Sequence, residues 1–441
     1  MRLVPERRLL FVVGAVLMPG AAAGAVLPWL TAVAATLSAA VTVAAVLDAI
    51  AGKRRLGGLK AELAPLIRLT QNRETSLPMR LHNASGRVRH LRLGLALPPE
   101  FQSKQEHLWI AAPAEPAGAR LHWHCLPQKR GRYRLQAVYL EEQSPLRFWA
   151  LRSTLPLNTE LRVYPNLAEE RRRLAAFFLN RGLTGVHVQR QVGRGREFEK
   201  LREYVPGDDY QDIHWKTTAK RARPITKVFQ IERTQEVYVL VDSSRLSARR
   251  CGETSALERF VTAALLLALA AEKQGDLFGL LTYSDKVNRF VRAGRGKSHY
   301  GTCREVLYTL EPQPVAPDLQ EVFVFLRSQL RRRALLVFLT SLDDPLLAET
   351  FVRKADLISR QHLVLVNMPR PAGIAPLFSG RPVSEPDQIY ERLSGHILWH
   401  NLGELGETLR SRGVSFQLVE AETLCARLIA QYLNVKHRQL L

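Results

Sequence analysis

The chain has 441 residues, 46% of them hydrophobic and 24% charged, with 63 Lys plus Arg against 41 Asp plus Glu and a formal net charge of +22. That length suits two or three domains and that apolar content suits real cores, which excludes a disordered chain, while the charge predicts an anionic neighbour: lipid, nucleic acid or an acidic protein. Four widely spaced cysteines, Cys125, Cys251, Cys303 and Cys425, form no CxxC or Cys/His cluster and so exclude a zinc site or a disulfide framework; a reducing cytoplasm fits them.

From Leu9 to Leu47 there is no charged residue. As one helix this run would extend roughly 58 Å, about twice the hydrocarbon core of a bilayer. Pro19-Gly20 and Pro28-Trp29 interrupt it, so the pattern predicts a hairpin of two transmembrane helices, about 8–26 and 30–50, within residues 1–56. Its Ala and Gly content suits close helix packing. Arg2, Arg7 and Arg8 precede the first span, and Lys53, Arg54 and Arg55 follow the second. By the positive-inside rule both ends face the cytoplasm, which predicts a multi-pass protein of the inner membrane with its soluble domains in the cytosol. A cleaved signal peptide is a poor alternative, because the run is too long.

Residues 57–165 alternate apolar and polar residues in short runs, "HLRLGLALP", "ARLHWHCLP", "GRYRLQAVYL" and "TELRVYP", separated by turn residues. This predicts a small Ig-like β-sandwich. Residues 166–234 read as a basic connector with a helical start. In 235–441, apolar runs such as "VYVLVD", "LFGLLTYS", "ALLVFLTS", "HLVLVNM" and "VSFQLVE" alternate with helical stretches. That is the pattern of a parallel sheet covered on both faces, with its ligand end at the carboxyl termini of the strands. The fold class is thus α+β multidomain, ending in a Rossmann-type α/β domain.

Three places carry candidate chemistry. "VDSSR" ends the first strand of the α/β region with Asp242 and Ser244, two members of a D-x-S-x-S cation loop whose third position is Leu246. Hard oxygen donors of this kind suit Mg2+ or Mn2+. A later strand ends in "LTSLDDP", with Ser341 where an aspartate is expected and Asp343 close behind, and the middle loop "PVAPDLQ" offers Asp318 but no threonine. The site is degenerate. "AGRGKS" ends like a phosphate loop, but Val291 stands where its first glycine is required, so a basic turn is the reading. In the segment 195–229, His214 with Glu203, Asp208 and Asp209 resembles an acid/base set without a nucleophile. Trp215 among Lys216, Lys220, Arg221, Arg223 and Lys227 is a lone aromatic in a basic stretch, too little for a single-strand nucleic-acid groove.

The run Gly195, Glu197, Phe198, Leu201, Arg202, Tyr204, Gly207, Asp208, Asp209, Ile213, Trp215, Ala219 and Lys220, followed by Asp242 and Ser244, resembles the bacterial family called domain of unknown function 58 (DUF58). The similarity is strongest from about 160 to 245. It extends loosely to "EEQSPLRFWA", where members commonly carry Asp-Pro-Leu/Phe-Gly and this chain has Ser144-Pro145-Leu146-Arg147. The resemblance implies a membrane-anchored β-sandwich followed by a von Willebrand factor A-like domain, and a MoxR-type AAA+ ATPase as partner.

Together these observations predict a non-enzymatic adaptor whose partner-binding residues are Glu197, Arg202, Tyr204, Asp208, Asp209, Trp215, Lys216 and Arg245, beside a weak metal site at Asp242, Ser244 and Asp343. Arg245, Arg295 and Lys297 are expected to meet a partner's acids if no metal bridges them. No small-molecule substrate or nucleic acid is expected. The alternatives are an anionic-lipid or nucleic-acid binder driven by charge, and a hydrolase built on His214.

Overall fold

The computed structural model describes residues 2–26, 30–53, 58–84, 89–112, 119–180, 192–206, 208–230, 235–252, 254–379 and 386–438. Gly207, Arg54 and Arg55, and the side chain of Glu197, lie outside what is described. The chain is mixed α/β and divides into two units, Met1–Asn166 and Leu167–Leu441.

In the first unit, β1 (Arg2–Pro5) runs into α1 (Arg7–Val26), and α2 (Leu30–Lys53) follows. Arg2, expected as a bare flank of the first span, is instead part of a strand. Among the described residues one segment, Thr31–Gly52, is long and apolar enough to cross a membrane. The strands are β2 (Leu59–Leu63), β3 (Leu66–Thr70), β4 (Thr75–Asn83), β5 (Arg89–Leu95), β6 (Phe101–Gln102), β7 (Leu108–Ala112), β8 (Ala119–Pro127), β9 (Gly131–Gln143) and β10 (Trp149–Tyr164). They form one sheet ordered β1-β10-β9-β5-β7, with β3 on β10, and another ordered β2-β4-β8-β6. Inward residues of both sheets, among them Leu81, Trp123, Leu91, Leu140 and Leu161, share one core, as period-two alternation requires.

The turn between β9 and β10 is fastened to the end of α2. Asp48, buried in that helix, accepts hydrogen bonds from Ser144 Oγ, Leu146 N and Phe148 N, and Trp149 Nε1 donates to Ala45 O. Arg147 closes the turn at φ 60°, the left-handed conformation that glycine adopts at no steric cost.

The second unit begins with α3 (Leu167–Asn180), then β11 (Val192–Glu203), α4 (Trp215–Arg221) and β12 (Ile225–Gln230). The next elements are β13 (Glu236–Asp242), a two-residue hairpin β14 (Arg250–Cys251) and β15 (Thr254–Ser255), and α5 (Ala256–Lys273). They are followed by β16 (Leu277–Tyr283), β17 (Val287–Gly294), α6 (Lys297–Tyr308), α7 (Leu319–Gln329) and β18 (Leu335–Leu339). The chain ends through α8 (Pro345–Lys354), α9 (Asp356–Ser359), β19 (Leu363–Pro369), α10 (Pro386–Ser411), β20 (Val414–Val419) and α11 (Leu424–His437).

β13 explains the layering. Val237, Val239 and Val241 point into a core shared with α5, α6 and α11, and Tyr238 and Leu240 into a second core shared with α7 to α10. A strand buried on both faces is the mark of a covered parallel sheet. The order is β17-β16-β13-β18-β19-β20, parallel except for β17, which runs antiparallel on β16. Gly279 is needed where it stands, since a Cβ there would meet the Tyr238 ring at 2.3 Å. Ser255 Oγ accepts from Glu258 N and starts α5, the S-x-x-E capping pattern.

Candidate functional site

From β13 the chain adds β16 on one side and β18 on the other, so the carboxyl end of β13 is the switch point where α/β sheets place their ligands. Asp242 ends that strand and is fully buried. Its Oδ1 accepts from Ser244 N at 2.8 Å and its Oδ2 from Thr340 Oγ1 at 2.7 Å. Burial raises the Asp242 pKa above the usual carboxylate value, and the hydrogen bonds from Ser244 and Thr340 only partly oppose it. Among the described residues the acid is held by neutral donors.

The surrounding loops close on this point by backbone bonds. Gln313 N donates to Ser243 O, Arg245 N to Val315 O and Asp318 N to Ser284 O. Ser244 Oγ accepts from Leu246 N, and Ser247 Oγ donates to Ser244 O. Asn288 Nδ2 donates to both Ser243 Oγ and Ser284 Oγ. Asp318 and Asp344 spend their carboxylates as helix caps. Asp343 pairs with the Arg249 guanidinium, while its Oδ1 is buried without a partner.

These facts decide the fit of a divalent cation. Mg2+ or Mn2+ needs several free oxygen donors. Here both Asp242 oxygens are engaged by protein donors, Ser244 is fully buried, and Asp343 is neutralised by Arg249. Among the described residues no group of three or more His, Cys, Asp or Glu is placed to hold a metal. Asp242, Ser244 and Asp343 therefore do not fit the ion in this arrangement. Thr340, which the sequence reading passed over in favour of Ser341, is the residue that reaches Asp242; the signal was the hydroxyl directly after the apolar run "LLVFL".

Arg245 is exposed at this edge. Arg295 and Lys297 are not its neighbours, because β17 is antiparallel and pairs Gly294 with Phe278, near the start of β16. They stand at the amino end of the parallel strands, about 20 Å away at ~3.3 Å per residue. Grouping the three basic residues is thus corrected by the sense of one strand.

The signature residues build a separate two-stranded sheet, β11 with β12. Arg202 NH2 donates to Asp208 Oδ1 at 2.7 Å, and Asp208 Oδ2 accepts from Val205 N. Asp209 caps the 3-10 turn Tyr210–Asp212. His214 Nδ1 accepts from Thr217 N and so caps α4. Glu203 pairs with Arg223. The acid/base set expected around His214 does not converge on one point: each member holds local backbone or a salt bridge. Nor is there a reactive thiol, since all four cysteines are free and buried and burial pushes the Cys303 thiol up to about 12. What remains outward is apolar and basic. Trp215 is 68% exposed and Tyr210, stacked on Tyr204, 73%; Lys216, Lys220 and Arg221 are exposed beside them in sequence.

Comparison with known proteins agrees with the signature. An uncharacterized protein of Mycobacterium bovis and one of Mycobacterium tuberculosis are each 28% identical over 188 residues, 42% of this chain and 57% of theirs. The chain therefore spans little more than half the length of these relatives. Among solved structures, the SpRpn10 VWA domain aligns over 45% of this chain and 95% of its own, at 9% identity and a TM-score of 0.26. The SrpA adhesin of Streptococcus sanguinis aligns over 37% and 76%, at 9% identity and a TM-score of 0.17. The family model described as Protein of unknown function DUF58 matches residues 200–374, from the Arg202–Asp208 turn through the switch point at Asp242, and the chain is similar to that family over this region.

Proposed function

We propose that this is a non-enzymatic protein-binding protein of the membrane, an adaptor that docks a MoxR-type AAA+ ATPase. The observation that carries the reading is the exposure of Trp215 and Tyr210 on a module whose Arg202, Asp208 and Asp209 side chains are engaged in its own hydrogen bonds. Large aromatics left outward on a small hydrogen-bonded frame are the residues from which binding hot spots are made. The basic residues next to them, and the +22 charge of the chain, favour an acidic partner surface.

On this reading the two sheets of the first unit are an Ig-like sandwich carried on a transmembrane hairpin in the inner membrane, with both units at the cytoplasmic face. The six-stranded sheet of the second unit is von Willebrand factor A-like by its strand order. Its switch point serves as a metal-free surface, and Arg245 supplies charge there.

The test is a crosslinked pull-down of the full-length chain from native membranes, with AAA+ ATPases identified by mass spectrometry. Recovery should fall about tenfold or more in Trp215→Ala and Tyr210→Ala, and less in Arg245→Gln. Unchanged recovery in both aromatic variants, with the protein folded, would remove the signature module as the docking surface.

A further inference from the structure

One row of side chains in the first unit is unrelated to the docking surface and has a chemistry of its own. The register of the larger sheet places Arg2 opposite Arg152, Arg152 opposite Glu141, Glu141 opposite Arg92 and Arg92 opposite Trp109. Directly opposite residues share a face, so the five make a line across all of β1-β10-β9-β5-β7. Their sheet neighbours Leu140 and Leu151 are buried, which puts the row on the outer face.

The charges along it do not balance locally. Glu141, 19% exposed, accepts from Arg152 Nε at 2.7 Å and Arg92 NH1 at 3.5 Å. It is already shared when Arg152 meets Arg2, and like charges directly opposite on a sheet repel. Arg2, Arg92, Glu141 and Arg152 line a cavity of about 770 Å³ together with Ser153, Thr154, Glu106 and His107. Arg92 NH2 and His107 Nδ1 are 3.1 Å apart; the guanidinium donates, so the imidazole nitrogen accepts. Three arginines and no lysine, with hydroxyls beside them, are a donor set shaped for the planar oxygens of an anion.

We propose that this cavity binds a phosphate group, held between Arg2 and Arg152, with Glu141 as the resident anion that competes for Arg152 and Arg92. A phosphate there relieves the Arg2–Arg152 repulsion. The sheet also sets the distance to the helices. β1 leads into α1 through Glu6 alone, and Glu141 lies three residues before Ser144, whose hydroxyl is bonded to Asp48 of α2. At ~3.3 Å per residue the row is about 10 Å from the end of the helix that is long and apolar enough to cross a membrane. A phospholipid headgroup and a soluble phosphate are the two sources of such a ligand.

Isothermal titration calorimetry of the full chain in a neutral detergent distinguishes them, using inorganic phosphate, dioctanoyl phosphatidic acid and, as control, dioctanoyl phosphatidylcholine. Binding of phosphatidic acid alone identifies the headgroup as ligand; binding of inorganic phosphate identifies a soluble one. In either case the double variant Arg2→Gln/Arg152→Gln should weaken binding about tenfold or more. Arg147→Gln, an exposed arginine outside the row, should leave it unchanged. Glu141→Gln should move affinity the other way, tightening it several-fold by removing the competing anion. The proposal is overturned if neither phosphate probe binds, if phosphatidylcholine binds as well as phosphatidic acid, or if the double variant, folded by circular dichroism, binds like the native chain.

Discussion

The six-stranded sheet of the second unit holds a buried carboxylate at each end of its strands, and the two are treated differently. At the amino end, Asp276 sits just before β16, with Lys436 Nζ at 2.8 Å, the Tyr432 hydroxyl on the same oxygen and Gln235 N on the other. Lys436 also donates to Gln274 O. At the carboxyl end, Asp242 has Ser244 N and Thr340 Oγ1 and, among the described residues, no cation. The first arrangement is a latch: one compensated charge ties α11 to the start of β16. The second keeps a destabilised acid where the sheet presents its loops, the cost that working sites of a fold bear and structural sites avoid.

The sharpest way to break the comparison is to remove the cation from the latch. Lys436→Met leaves Asp276 buried with neutral donors only, as Asp242 is, and is expected to cost about 3 kcal/mol, read as a lower urea midpoint at unchanged slope. The double variant Lys436→Met/Asp276→Asn should recover part of that loss, since the uncompensated charge is gone. If Lys436→Met is neutral, the two ends do not differ in kind.

Asp242 is expected to respond more modestly and with a sign set by pH. Its folded pKa is raised above the unfolded value near 3.8, so the native state holds the proton more tightly than the unfolded chain. Stability contributed by the protonated acid is therefore present below about pH 4 and lost as pH climbs through the raised native value. Asp242→Asn keeps an oxygen for Ser244 N and removes this titration. The variant should match or exceed the native melting temperature at neutral pH, and its stability should be flat across the window where the native protein's declines. A native protein whose stability instead rises with pH there would mean that a positive group reaches Asp242.

Much of this was legible in the sequence. Both cores of the second unit follow from strands such as "VYVLV" that are apolar at every position, whereas the signature segment, read as a basic connector, instead starts on the strand β11 of a small sheet and continues through a turn into α4. Three things were not legible, each for a physical reason. α10 has no single apolar stripe to mark it: Leu402 and Leu409 are buried, while Ile389, Leu393 and Ile397 face out. It also contains Gly395, where a Cβ would come within 2.1 Å of Gly373 O, a close tertiary approach no periodicity reports. The sense of β17 depends on a hairpin after Tyr283 and not on composition, and it moved Arg295 and Lys297 to the wrong end. The arginine row depends on the register of five strands, so its members, spread from Arg2 to Arg152, have no spacing in the sequence to mark them.

The smallest expected effect concerns Arg249, half exposed where Asp343 is mostly buried. A pair with one exposed partner contributes no more than about 1 kcal/mol, so Arg249→Gln should hardly move the melting temperature in metal-free buffer. Its value lies in what it does to the carboxyl end. Arg249 supplies the positive charge on Asp343, whose Oδ1 is buried and unpartnered. Taking the guanidinium away leaves a carboxylate with both oxygens available, at the same sheet end as Asp242 and Ser244. Mn2+ titrated into Arg249→Gln should raise its melting temperature by a degree or two, while the native protein, its Asp343 already neutralised, should not respond. A native protein stabilised by Mn2+ to the same extent would show that the arginine yields to the ion, and the closed hydrogen-bonded end would then be one of two states of that loop.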